Sequence, residues 1–256
     1  MATPKGSLMR TANPALNSKT FTSLDYAGGQ GETMTLQGTV NKTGILLLLT
    51  IISAVWVWNK FFASLDSGAV MPWIAVGAIG GFVLGLVTAF KKNWSAVTAP
   101  FYALAEGLAL GGISSIFEMQ FPGIVIEAVA LTFGTLLCLL VAYKSGLIRP
   151  SENFKLGVVS ATGAIALFYF VTIILGFFGV NTSFFYGNSL LSIGISVVIV
   201  IIAALNLVLD FDFIEGGAAN GAPKYMEWYS AFGLLVTLVW LYIEILRLLA
   251  KLRSRE

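Results

Sequence analysis

The chain has 256 residues, of which 57% are hydrophobic and only 11% charged, with a formal net charge of +2 and a mean hydropathy of +0.86. A soluble domain carries about 25% charged residues, so the composition points to a polytopic membrane protein. Histidine is absent and Cys138 is the single cysteine, which excludes imidazole-held zinc or haem, a histidine pH switch, a disulfide framework and a thiolate metal centre.

Residues 1–43 form a polar arm without the apolar core of a signal peptide, expected to be largely disordered and not a cleaved leader. Seven apolar segments follow: Gly44–Phe62, Ala69–Phe90, Ala96–Phe117, Phe121–Tyr143, Leu156–Phe178, Asn188–Ile214 and Met226–Leu249. Each approaches the roughly 20 residues needed to cross about 30 Å of hydrocarbon. The expected fold is all-α, a seven-transmembrane helix bundle over 44–250 with a short basic tail at 251–256. Pro72, Pro100, Pro122, Pro150 and "EGGAANGAP" mark the expected seams. Tryptophans and tyrosines near the segment ends (Trp56, Trp73, Trp94, Tyr143, Trp228) suit an interfacial belt. Gly77, Gly81 and Gly85, and then Gly107 and Gly111, repeat every four residues, the spacing that lets helix backbones approach in lipid. Lining a permeation path is the other use such faces could have.

Basic residues are sided. The arm's side receives Lys5, Arg10, Lys19, Lys42, Lys91, Lys92, Lys144, Arg149, Lys155 and Lys224, against Lys60 on the other before the last segment. Positive-inside bias therefore places the arm in the cytoplasm. Arg247, Lys251, Arg253 and Arg255 oppose this if all seven segments cross. Seven crossings remain the preferred count, with a re-entrant C-terminal segment as the alternative.

With no nucleophile–base pair, phosphate loop or metal cluster in view, no catalytic residue and no firm metal site is assigned, and an enzyme is not expected. The carboxylates carry the chemistry, because charge within a membrane segment is costly and marks ion or proton paths by default. Glu106 lies near the midplane, either as a hydrogen-bonded neutral acid or as an ion or proton group. Glu127 falls near the outer interface. Asn206 and Asp210, four residues apart, share a face. Asp212 is rotated about 200° from Asp210 and pairs by spacing with Glu215 as a solvated cytoplasmic acid. The Asp–x–Asp run lacks the later ligands of a calcium loop. Glu244 can bridge Arg247, and Glu227 opens the last helix, where a carboxylate suits the dipole.

The stretches "NPALNSKTF", "EGLALGGISSIFE" and "LDFDFIE…GAPKYMEWYSAFGLLVTLVWLYIEILRLLAKL", with the seven-segment plan, resemble the Bax inhibitor-1/YccA-like superfamily in its bacterial branch. The resemblance covers nearly the whole chain. It implies an inner-membrane protein acting as a pH-sensitive calcium leak channel, or one that restrains a membrane protease. It also implies an acidic pair on the last two helices: Asp210 takes the first position and Glu244, in "LYIE", the second. The spacing is longer than that family's, and depth along the helices favours Glu227 instead, unless the last helix breaks near Gly233.

Two touching carboxylates in a low-dielectric site share a proton. The expected mechanism is a proton-sharing pair built on Asp210 that latches the sixth helix, with Glu106, Asn206 and Asp212 along a cation path suited to calcium. No cofactor is expected beyond transported calcium. The expected partners are the bilayer and, in the alternative reading, a membrane protease or stress-response protein bound as an adaptor would bind it. No nucleic-acid partner is expected.

Overall fold

The computed structural model describes residues 32–179, 187 and 189–255. The arm through residue 31, including "NPALNSKTF", lies outside the described residues, as do Asn188 and Glu256. Seven helices follow: α1 (Leu36–Ser64), α2 (Ser67–Phe90), α3 (Ser95–Gln120), α4 (Ile124–Lys144), α5 (Glu152–Phe177), α6 (Leu190–Ala219) and α7 (Met226–Arg253). All seven are long and apolar enough to cross a membrane. The chain is a multi-pass, seven-helix membrane protein.

The helix ends depart from the apolar runs where caps and packing outweigh hydropathy. Thr35 caps α1 by accepting from the Gly38 N–H, so the polar "LQGTVNKT" is helical and α1 begins at Leu36 rather than Gly44. Ser151 caps α5 by accepting from the Phe154 N–H, starting it at Glu152 rather than Leu156. Helix α6 runs through Gly216 and Gly217 to Ala219 instead of ending at Ile214, and the reversal falls at Gly221, whose φ of 66° suits glycine. Pro72 and Pro100 lie inside α2 and α3 near their starts, not at seams. Helix α7 is unbroken through Gly233.

Contacts between helix ends fix an alternating topology. On one side, Thr33 forms an isolated antiparallel bridge with Pro223 in the α6–α7 turn. There the Met34 N–H donates to the Ala222 carbonyl at 2.7 Å, and Ser95 at the start of α3 donates to the Tyr225 carbonyl. On the other side, Arg253 at the end of α7 reaches the α3–α4 turn, donating to the Pro122 carbonyl at 2.8 Å and to Glu127 at 2.6 Å. The two ends of the described bundle therefore lie on opposite sides, as seven crossings require.

Helix α7 is the central post. Its Tyr229, Leu235, Leu241 and Leu246 are buried, and the main core cluster gathers around them with Leu46, Tyr102, Leu207 and Phe213. Helix α5 is the most exposed of the seven and packs on α6. The glycine faces serve close packing. A Cβ at Gly111 would strike the Ala54 carbonyl oxygen of α1, and one at Gly77 would lie 2.5 Å from the Ala105 carbonyl oxygen of α3. Backbone contact of that kind is how helices associate where lipid removes the hydrophobic drive.

Candidate functional site

A file of polar side chains crosses the bundle between α5, α6 and α7. Helix α6 contributes Ser192, Ser196, Asn206 and Asp210, all buried and spaced so that they share one face, with Ile199 and Ala203 between the two pairs. Helix α5 contributes Lys155, Thr162 and Tyr169, one every seven residues. Helix α7 contributes Thr237, Glu244, Arg247 and Lys251.

Most of the file is engaged internally. At the far end, Lys251 donates to Ser192 and Ser196, each at 2.8 Å. The Tyr169 hydroxyl donates to buried Glu244 at 2.7 Å, and Arg247 approaches the same carboxylate oxygen at 3.4 Å. Asn206 donates to Thr162 at 2.8 Å and to its own helix at the Ile202 carbonyl. At the α6–α7 turn side, Lys155 bridges Asp212 at 2.7 Å and Glu152 at 3.3 Å.

Asp210 is different. It is 0% exposed, and neither carboxylate oxygen has a hydrogen-bond partner among the described residues. Thr237 on α7 stands close enough to interact with it, but that hydroxyl is directed to the Gly233 carbonyl. Tyr229 and Ser230 also bury hydroxyls without hydrogen-bond partners among the described residues, yet neither carries a carboxyl. An isolated ionised carboxylate in such a place costs several kcal/mol.

The expected partners of Asp210 are elsewhere. Because α6 extends to Ala219, Asp210 sits about 14 Å from the helix end, well inside rather than at the rim. On α7, Thr237 lies about 16 Å from the helix start, level with Asp210, whereas Glu244 lies about 27 Å in and Glu227 within about 2 Å. The structure thus brings neither Glu244 nor Glu227 to Asp210. Glu227 instead anchors the start of α1. It accepts from the Thr35 N–H and hydroxyl, both at 2.9 Å, ion-pairs with Lys42, and meets Lys224 at 3.4 Å. Asp212 belongs to Lys155 and not to Glu215, which accepts from the Tyr143 hydroxyl at 2.5 Å.

Glu106 is off the file. It lines a crevice of about 490 Å³ walled by α2, α3 and α7, where Tyr102, one turn earlier on α3, lines the same crevice. Glu127 pairs with Arg253 at the interface, half-exposed. Sequence reading missed Lys155, Thr162 and Tyr169, although their heptad recurrence in an otherwise apolar segment was a signal for them.

Fold and site together define an integral membrane bundle with a line of buried polar side chains between α5, α6 and α7 and, on it, an acid with no hydrogen-bond partner among the described residues. A family profile described as Bax inhibitor 1 like matches residues 13–254, and the chain belongs to that family. No curated protein and no solved structure matches it.

Proposed function

We propose that this Bax inhibitor 1 like chain is a pH-sensitive leak for cations such as calcium, controlled by Asp210 alone rather than by a carboxylate pair. The observation that carries this reading is a buried acid without a hydrogen-bond partner among the described residues, on a line of buried polar side chains along α6. Every other carboxylate on the file is held by a lysine, or by a tyrosine and an arginine. Of the carboxylates on the file, Asp210 is the one that faces no lysine or arginine among the described residues.

Losing its proton places an unmatched charge against α7. Relief comes from admitting water or a cation, or from separating α6 and α7. Carboxylate oxygen suits a hard cation. No group of three or more Asp, Glu, His or Cys that could hold a metal ion lies together among the described residues.

The test is calcium flux into proteoliposomes across pH for native protein and Asp210→Asn. The amide stands in for the protonated acid. The variant is expected to show, at every pH, the flux that native protein shows at low pH. A variant that keeps the native pH profile removes Asp210 from control.

A further inference from the structure

A second cavity, which meets the polar file only at Asp212, opens at the arm's side of the bundle. It encloses about 740 Å³ between α1 and α4, over a floor of Phe211 and Leu234. This falls in the roughly 300–1,000 Å³ range of small-molecule sites. Helices α1 and α4 do not pack on each other there. The walls are Val40, Gly44, Leu47, Leu136 and Leu140. Thr39 and Thr43 also line it, but their hydroxyls are spent on carbonyls of their own helix. The body of the cleft is thus apolar, and half-exposed Leu36 and exposed Val40 continue it onto the lipid-facing surface.

The mouth carries both signs of charge. Lys144, at the end of α4, and Arg149, in the α4–α5 linker, are exposed and form no ion pair among the described residues. Opposite them lies exposed Glu215, which accepts from Tyr143 through one carboxylate oxygen. Asp212 also reaches the cleft but is committed to Lys155. The free charges are therefore two cations and one carboxylate, at the end of membrane-spanning helices, where lipid headgroups lie.

We infer that this cleft binds a phosphatidylethanolamine-type phospholipid: one acyl chain between α1 and α4, the phosphate at Lys144 and Arg149, and the primary ammonium at Glu215. Cations at a helix end capture a phosphate well. The carboxylate selects a headgroup that donates N–H bonds, which a trimethylated ammonium cannot do; it repels an anionic extension and finds no charge partner in a neutral polyol, whose hydroxyls give weaker hydrogen bonds than an ammonium. Lysine and arginine at a membrane surface are worth about 1 kcal/mol each towards anionic lipid groups.

The experiment is intact-complex mass spectrometry of the delipidated full chain in detergent. The protein is offered an equal mixture of phosphatidylethanolamine, phosphatidylcholine and phosphatidylglycerol of one acyl composition. Phosphatidylethanolamine should be retained severalfold over the other two, and O-phosphoethanolamine, which lacks chains, should not compete. Lys144→Gln with Arg149→Gln should abolish retention of all three lipids, and Glu215→Gln should erase the preference over both phosphatidylcholine and phosphatidylglycerol. A Cβ at Gly44 meets nothing within 4 Å, so a side chain can leave the helix there, and Gly44→Leu and Gly44→Trp should occupy the cleft and abolish retention with every charge intact. Phosphatidylglycerol retained as well as phosphatidylethanolamine, or retention unchanged in both Gly44 variants, overturns the assignment. Retention that appears only after residues 1–30 are deleted also overturns it, and makes the arm the occupant.

Discussion

Lys42→Met tests how the start of α1 is held. Glu227 is 0% exposed and ion-paired to Lys42, whose side chain is 17% exposed. Breaking a buried pair by removing one partner costs about 3–5 kcal/mol, because the remaining charge stays uncompensated. Two features reduce that here. Lys42 keeps some solvent contact, and Lys224 remains 3.4 Å from Glu227 on an exposed side chain, where such pairs contribute about 0–1 kcal/mol. The expected loss is therefore about 2–3 kcal/mol, or roughly 30- to 150-fold in the folded-to-unfolded ratio at tenfold per 1.4 kcal/mol. Reversible unfolding in mixed micelles reads it, followed through tryptophan emission, since Trp228 packs against the Lys42 ammonium at 5.6 Å. The double variant Lys42→Met, Glu227→Gln should recover at least half of the loss, because no charge is then stranded. A single-variant cost under about 0.5 kcal/mol, the range of an exposed pair, would refute the view that this ion pair fastens α1 to α7.

Close helix approach gives a contrast between glycines. Gly111→Val drives a side chain into the Ala54 carbonyl and should cost about 1–3 kcal/mol by overpacking, whereas Gly134→Ala, with open space around its Cβ, should be neutral or stabilising by up to about 1 kcal/mol; equal effects in the same unfolding assay would deny the α1–α3 contact. Topology is checked in a Cys138→Ser background. Thr33→Cys and Ser254→Cys should be labelled by an impermeant maleimide from opposite faces of the membrane, and labelling from one face would rule out seven crossings.

The sequence carried the number of helices and their approximate spans, because hydrocarbon thickness imposes a length that apolar composition alone reveals. It carried less about ends. The polar start of α1 is helical only because Thr35 caps it and Glu227 receives Lys42, and the second of those contacts spans most of the chain. The burial of Asn206 and Asp210 on one face followed from their spacing. The partners of Glu244 did so only in part: Arg247 is one turn away, but Tyr169 comes from a separate helix. Local patterns show which residues share a face and not which face another helix will supply.

The relocation of Asp210 shows why this matters for function. In "LDFDFIEGG" the acids and the glycine pair read as a helix leaving the membrane, which puts Asp210 at the rim and makes a pair with Glu227 attractive. The structure carries α6 on to Ala219. The charges that looked like an exit are matched one by one: Asp212 by Lys155, and Glu215 by the Tyr143 hydroxyl. Those contacts allow the helix to continue, and the continuation takes Asp210 inward to the level of Thr237. Matching its neighbours and leaving Asp210 unmatched concentrates the electrostatic cost of the α6–α7 interface on one carboxyl group. Two acids sharing a proton would spread that cost over a pair and tolerate one ionisation. A solitary acid has no such reserve, which is the physical ground for testing Asp210→Asn ahead of any change at Glu244 or Glu227.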